Sequence, residues 1–193
     1  TAVERGLPLQ AVANGTSAPE EREDDPSALV TTEDAGIERP SDLEGTTVAV
    51  NALTSLPHVL AAAAIDADGG DPSQVTFVAM PFPDMASALD RGAVDAAAVV
   101  EPFYSETVSD GAKVITNLYT DVLDPGDSFT LVFTAGPFAE RNPEIVEKFQ
   151  RAVDRASLVA ANEPHKVGEV LEEHGRLSPE RFAQMRLPGY RMN

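Results

Sequence analysis

From residue 46 onward, short apolar runs alternate with amphipathic ones, and turn residues separate them. Residues 46–50 are β-branched and apolar and predict a strand that ends at Asn51. Residues 55–68 follow as a helix, because Leu56, Val59, Leu60, Ala63 and Ala64 recur on one side at helical spacing. Gly69-Gly70-Asp71-Pro72 stops that helix. A second strand is predicted over 74–80, and a helix over 83–91 that Gly92 ends. Residues 94–100 are apolar almost throughout, as in a strand covered on both faces. A helix over 101–109 and a fourth strand over 113–116 complete the series. Strands and helices in alternation predict an α/β fold, a mainly parallel sheet flanked by helices.

The flanking segments read differently. Residues 1–13 predict a helix end, a Gly6-Leu7-Pro8 turn and a buried strand. A chain that opens inside such a unit is expected to continue one begun upstream. Residues 14–25 predict an exposed loop, and its acidic run Glu20-Glu21-Arg22-Glu23-Asp24-Asp25 a solvated one. A short strand is expected over 28–32, then a turn-rich connector over 36–45 in which Ser41 can cap one helical turn. Beyond residue 121, Asp124-Pro125-Gly126-Asp127 is a turn and 128–134 a strand. A long helix over 142–162 carries Ile145, Phe149, Ala152, Val153, Ala156 and Val159 on one predicted buried face, with Pro143 in its first turn. Pro164 opens another helix to residue 174, and Ser178-Pro179-Glu180 a third.

Charge and composition narrow the function classes. The 193 residues hold 14 basic and 32 acidic side chains, a formal net charge of -18. Such a surface repels polyanions, so nucleic acid and anionic membrane surfaces are poor candidate partners. No apolar run approaches the roughly 18 residues of a membrane-spanning helix. Without cysteine there is no disulfide, thiolate metal site or cysteine nucleophile. His58, His165 and His174 have no metal-ligand spacing, and no zinc-protease, nucleophile-elbow or phosphate-loop motif occurs. Asp66, Asp68 and Asp71 abandon the calcium-loop pattern at Gly69-Gly70. No metal, cofactor or catalytic residue is expected.

Three strand ends carry candidate binding chemistry. At Val50-Asn51-Ala52-Leu53-Thr54-Ser55 a parallel strand gives way to a helix within a few residues. Open α/β sheets bind ligands at such carboxyl ends, and helix amino termini attract anions. Asn51, Thr54 and Ser55 are the candidates, with plain capping by Thr54 or Ser55 as the alternative. At Glu101-Pro102-Phe103-Tyr104, Glu101 offers a hydrogen-bond acceptor, and Phe103 and Tyr104 an aromatic wall. The alternative is an acid complementing a helix dipole above packing aromatics. At Met80-Pro81-Phe82-Pro83, two prolines stiffen the loop that holds Phe82, or Pro83 and Asp84 merely start a helix.

These segments also resemble a known family. Ser41-Asp42-Leu43-Glu44-Gly45 with Val48-Ala49-Val50-Asn51 is similar to the approach to the second lobe of solute-binding proteins of ABC importers. Ala88-Leu89, Gly92-Ala93-Val94-Asp95-Ala96 and Glu101-Pro102-Phe103 follow in the family's order. Phe138 to Ala152, with Asn142-Pro143, and the opening Glu4-Arg5-Gly6-Leu7-Pro8-Leu9 resemble the nitrate, taurine, alkanesulfonate and thiamine-precursor branch. The resemblance implies a type II periplasmic-binding-protein-like fold, α/β in two lobes, with the first incomplete. Residues 1–40 and 120–193 would belong to lobe 1, and 41–119 to lobe 2.

It further implies a monomeric extracytoplasmic receptor, periplasmic or lipid-anchored at the outer face of the membrane, that delivers a small ligand to a membrane permease. The ligand would sit in an interlobe cleft at Asn51, Thr54, Ser55, Glu101 and Phe103. Phe82, Tyr104, Asn14 and Phe129 join these from strand-end placement. An anion such as a sulfonate, nitrate or carboxylate fits the helix-terminus site, with a heterocyclic ligand as the alternative. Two alternatives share the architecture: an effector-sensing domain of a transcription regulator, and a pyrimidine synthase of thiamine assembly, which relies on cysteine.

Overall fold

The apolar runs become short strands whose packed faces set the architecture. A computed structural model describes residues 6–174 and 177–190. The helix end expected at residues 1–5 lies outside them. In chain order the elements are β1 (Leu9–Asn14), β2 (Thr16–Ser17), β3 (Ser27–Thr31), β4 (Thr47–Val50), α1 (Leu56–Ala67), β5 (Thr76–Ala79), α2 (Phe82–Asp90), β6 (Ala96–Val100), α3 (Phe103–Ser109) and β7 (Lys113–Asn117). Then follow β8 (Leu131–Ala135), α4 (Gly136–Arg141), α5 (Pro143–Asn162), α6 (Pro164–Glu173), α7 (Pro179–Phe182) and β9 (Gly189–Tyr190).

These elements form two units. One comprises Pro19–Asp124 and Gln184–Leu187; the other comprises Thr1–Ala18, Pro125–Ala183 and Pro188–Asn193. Residues 19–40 belong to the unit of the five-stranded sheet, in which β3 lies between β6 and β7.

That sheet has the order β5-β4-β6-β3-β7. β4 pairs parallel with β5 and β6, as the βαβ rhythm predicts. β3 runs antiparallel to both β6 and β7. The sheet is therefore mixed, where the sequence predicted a mainly parallel one. β3 is not delivered by a β-helix-β crossover, so the rule that makes β4, β5 and β6 parallel does not govern it. All five residues of β3 are buried, as befits a central strand covered on both faces. Met85, Ala88, Leu89 and Tyr104 pack on Ala28, Val30, Ala49, Ala97 and Val99 to make one core layer. Burying each large apolar side chain contributes roughly 1.5–3 kcal/mol.

Asp25 closes this sheet at one end. Its carboxylate is 0% exposed and accepts five hydrogen bonds. Oδ1 takes the Ser27 amide at 2.9 Å and the Ser27 hydroxyl at 2.7 Å. Oδ2 takes the Tyr119 and Thr120 amides at 3.0 and 2.7 Å and the Thr120 hydroxyl at 2.9 Å. The acidic run read as a solvated loop therefore holds one buried member: residues 20–24 are exposed and Asp25 is not.

In the second unit β1 and β8 pair antiparallel from Leu9↔Ala135 to Asn14↔Leu131, and β2 pairs with β9. The long helix forms as predicted, but its apolar stripe is largely uncovered: Ile145 is 53% exposed and Phe149 42%. With Val12, Val132, Phe133 and Phe138 these side chains line an apolar hollow of about 230 Å³.

Candidate ligand-binding site

Parallel pairing brings three of the predicted loops to one edge of the five-stranded sheet. Val50 lies opposite Ala79, so Asn51 and Met80 leave β4 and β5 at the same level. The Met80 amide donates to the Val50 carbonyl at 2.9 Å and fixes that register. On the other side of β4, the pairing Ala49↔Ala97 carries Glu101 out beyond the same edge. Strands in a sheet lie about 4.8 Å apart, so the three loops are neighbours.

The loop after β4 is the most polar of them. Its residues 51–54 are exposed and Ser55 half-buried. The Ser55 hydroxyl donates to Asn51 Oδ1 at 2.7 Å, which closes the loop on itself. Thr54 has φ 65°, the one positive value outside glycine among the described residues. A β-branched residue in the left-handed region costs about 1–2 kcal/mol, so the surroundings must hold it there. Its amide donates to His58 Nδ1 at 2.8 Å, and the imidazole packs tilted on Phe77 with ring centroids 4.4 Å apart.

Helix α1 then begins with no side-chain cap, although Ser55 occupies the capping position. The capping alternative for Thr54 and Ser55 is thus not what this loop does. Pro57 contributes no amide proton, which leaves the Leu56 and His58 amides at the first turn without a side-chain acceptor. Such amides, with the helix dipole behind them, complement an anionic oxygen.

The other two loops supply aromatic surface. Phe82 opens α2, with Pro83 and Asp84 in the first turn as the helix-start reading required. Its ring also stacks on Phe103, with centroids 5.7 Å apart and planes 14° from parallel. Sequence distance hid this pair; β5 and β6, which flank β4 in parallel, bring their following loops to the same end of the sheet.

Glu101 is heavily engaged inside its own unit. Oε1 accepts from the Ser105 hydroxyl at 2.7 Å and the Arg186 amide at 3.0 Å, and Oε2 from the Ser105 amide at 3.3 Å. The Ser105 hydroxyl also lies 2.9 Å from the Gln184 carbonyl. Tyr104 is 3% exposed within the core layer. The Arg186 guanidinium donates to its hydroxyl and lies over its ring at 4.7 Å. Residues 184–187 are thus clasped to the start of α3, and Arg186 is a contributor that no local sequence signal announced. Arg22, Asn117 and Arg186 line a polar hollow of about 600 Å³ beside this clasp.

Asn14 and Phe129 belong to the other unit. Asn14 ends β1 opposite Leu131, and the Phe129 amide donates to the Thr16 carbonyl at 3.1 Å. Among the described residues no cluster of three metal-ligating side chains occurs, and no helix is long and apolar enough to cross a membrane.

Known proteins are similar to this chain in sequence and in fold. A protein of Bacillus subtilis (strain 168) named for binding aliphatic sulfonates is 39% identical over 84 residues, 42% of this chain and 24% of its own length. The taurine-binding periplasmic protein of Escherichia coli (strain K12) is 32% identical over 127 residues, 65% of this chain and 39% of its own. The crystal structure of the periplasmic aliphatic sulphonate binding protein SsuA from Escherichia coli superposes with a TM-score of 0.77 at 22% identity, over 97% of this chain and 62% of that one. The chain therefore spans less than two thirds of the length of these relatives. Its residues 1–167 match the family model described as NMT1/THI5 like, and the chain belongs to that family.

Proposed function

We propose that this chain is part of an extracytoplasmic solute-binding receptor of an ABC importer. In this reading it captures a small organic anion of the sulfonate class and works as a monomer with a membrane permease. The relatives matched in sequence are binding proteins by name. The observation that carries the reading is the start of α1: an exposed loop of Asn51, Thr54 and Ser55 leads into a helix whose first amides no side chain caps. A sulfonate oxygen accepts from those amides, from Asn51 Nδ2 and from the Thr54 hydroxyl, while the Ser55 hydroxyl stays on Asn51 Oδ1. The stacked Phe82–Phe103 pair faces the ligand's apolar part. Glu101 and Tyr104, whose polar atoms already have partners within the unit, shape the edge.

Thermal-shift titration of the full-length protein against ethanesulfonate, taurine, nitrate and acetate tests this. A ligand at a hundredfold excess over its Kd stabilises the folded state by about 2.7 kcal/mol. The sulfonates are expected to raise Tm, and the double variant Asn51→Ala, Thr54→Ala to abolish the shift. A sulfonate shift that survives in the double variant moves the site elsewhere. No response to any of the four anions ends the anion reading.

A further inference from the structure

The hydrogen bond from the Thr54 amide to His58 Nδ1 is a contact that only a neutral imidazole can make. A proton on Nδ1 would face the amide proton head-on. Histidine is the side chain whose ordinary titration falls between roughly pH 5 and 8. We propose that His58 is a positioning residue: neutral, it holds Thr54 and with it the 51–55 loop, and on protonation it releases that loop and weakens anion capture. The inference rests on the sulfonate reading for its ligand, but not for the state of the loop.

Three observations converge on His58. Thr54 is the residue held at φ 65°, a conformation a threonine does not keep unaided. Phe77 packs on the imidazole, so the ring cannot turn away without losing that contact. The loop's other internal tie is the single Ser55 to Asn51 hydrogen bond, together with the Ser55 amide on the Ala52 carbonyl at 3.2 Å.

Few other charges act on the ring. The elements packed most closely against α1 are the turns at Pro40–Leu43 and Pro72–Gln74 and strand β6. Of these only the first carries a titratable group, Asp42, whose carboxylate accepts the Glu38 and Arg39 amides at 2.9 and 3.1 Å. β5, which carries Phe77, has none. On α1 itself Asp66 lies two turns away, and Asp68 just beyond its end is paired with Arg39. The helix dipole at this end opposes a cation, so an imidazolium gains no compensation from it.

The test follows the Thr54 amide by hydrogen exchange in the full-length protein, expressed as protection relative to the free peptide rate, from pH 8 to pH 5. Protection is expected in neutral solution and is lost as the imidazole titrates. His58→Asn keeps an acceptor near the Nδ1 position and cannot titrate, so its protection stays constant. His58→Leu removes the acceptor and shows none at either end. A Thr54 amide equally protected at pH 8 and pH 5, or protected in His58→Leu, overturns the proposal.

Ethanesulfonate, ionised throughout this range, then serves as the probe. Its Kd is expected to rise about fivefold from pH 7.5 to 5.5 in the wild type, the effect of one hydrogen bond, and to stay flat in His58→Asn. Tighter binding at low pH would mean that imidazolium attracts the anion more than the loosened loop repels it, and would sink the proposal. If the Thr54 amide behaves as expected but ethanesulfonate binds at no pH, the ligand reading has failed and the loop switch stands.

Discussion

Removing the charge of Asp25 is the sharpest perturbation of the fold that carries the site. Its carboxylate has no exposed surface and satisfies three backbone amides and two hydroxyls. In Asp25→Asn one oxygen becomes an amino group, and two orientations are open. With the remaining oxygen toward residues 119–120, the new amino group faces the Ser27 amide and hydroxyl. The hydroxyl can turn and accept, but the amide is left unpaired. The flipped orientation strands two amides, Tyr119 and Thr120, so the first one prevails.

A buried, unsatisfied amide costs about 1–3 kcal/mol, and the surviving bonds lose roughly 1 kcal/mol of charge assistance between them. Relief from burying a charge offsets part of this. The expected net loss is about 2–3 kcal/mol. Asp25→Ala strands all three amides and should lose about 3–6 kcal/mol, a large share of the 5–15 kcal/mol typical of a domain. Urea unfolding followed by circular dichroism measures both, because the chain has no tryptophan. Exchange of the Ser27, Tyr119 and Thr120 amides locates the damage. An Asp25→Asn loss below about 0.5 kcal/mol, or an alanine variant no worse than the asparagine one, would refute the reasoning.

Two titration predictions follow, one from the Asp25 packing and one from the Arg39–Asp68 pair. Burial and the neighbouring Asp25 charge push the Tyr119 phenol up to about 12. The unfolded chain releases that proton near pH 10 while the folded one keeps it, so stability falls as pH rises above about 10, and Tyr119→Phe should flatten this alkaline limb in urea unfolding. The Arg39 guanidinium, which donates to Asp68 through Nε at 2.7 Å, and the Ser41 amide at 2.8 Å hold the Asp68 carboxyl well below the usual range. Its stabilising effect is complete above the unfolded value near pH 4 and is lost as the pH falls further, so wild type and Asp68→Asn should differ at pH 7 and converge in strong acid.

The βαβ rhythm was legible because each strand there is followed by a helix that must cross back over the sheet. Apolar period alone placed β4, α1, β5, α2 and β6 to within a few residues. The antiparallel β3 was not legible as such, since a short buried strand carries no mark of direction. Nor was Asp25, which sits at the end of an acidic run and differs from its neighbours only in what folds over it. The stripe on α5 shows the converse. Its spacing announced a buried face, yet a periodic pattern states only that a helix has an apolar side, not which residues of this chain cover it.

The site divides along the same line. Strand-end placement singled out Asn51, Thr54, Ser55, Phe82, Glu101 and Phe103, because a parallel sheet brings carboxyl ends to one edge whatever the side chains. What each side chain does there depends on partners far away in the chain. Glu101 read as a free acceptor until residues 184–187 were seen to return and supply the Arg186 amide, 85 positions on. His58 was noted only for lacking metal-ligand spacing, because its partner is a backbone amide, which leaves no trace in composition or motif. Local pattern therefore locates an edge, while the division of its residues into those open to solvent and those that hold the others depends on hydrogen bonds that close only in the folded chain. Thr54 marks the boundary between the two groups: its side chain is offered to solvent and its amide is spent on His58.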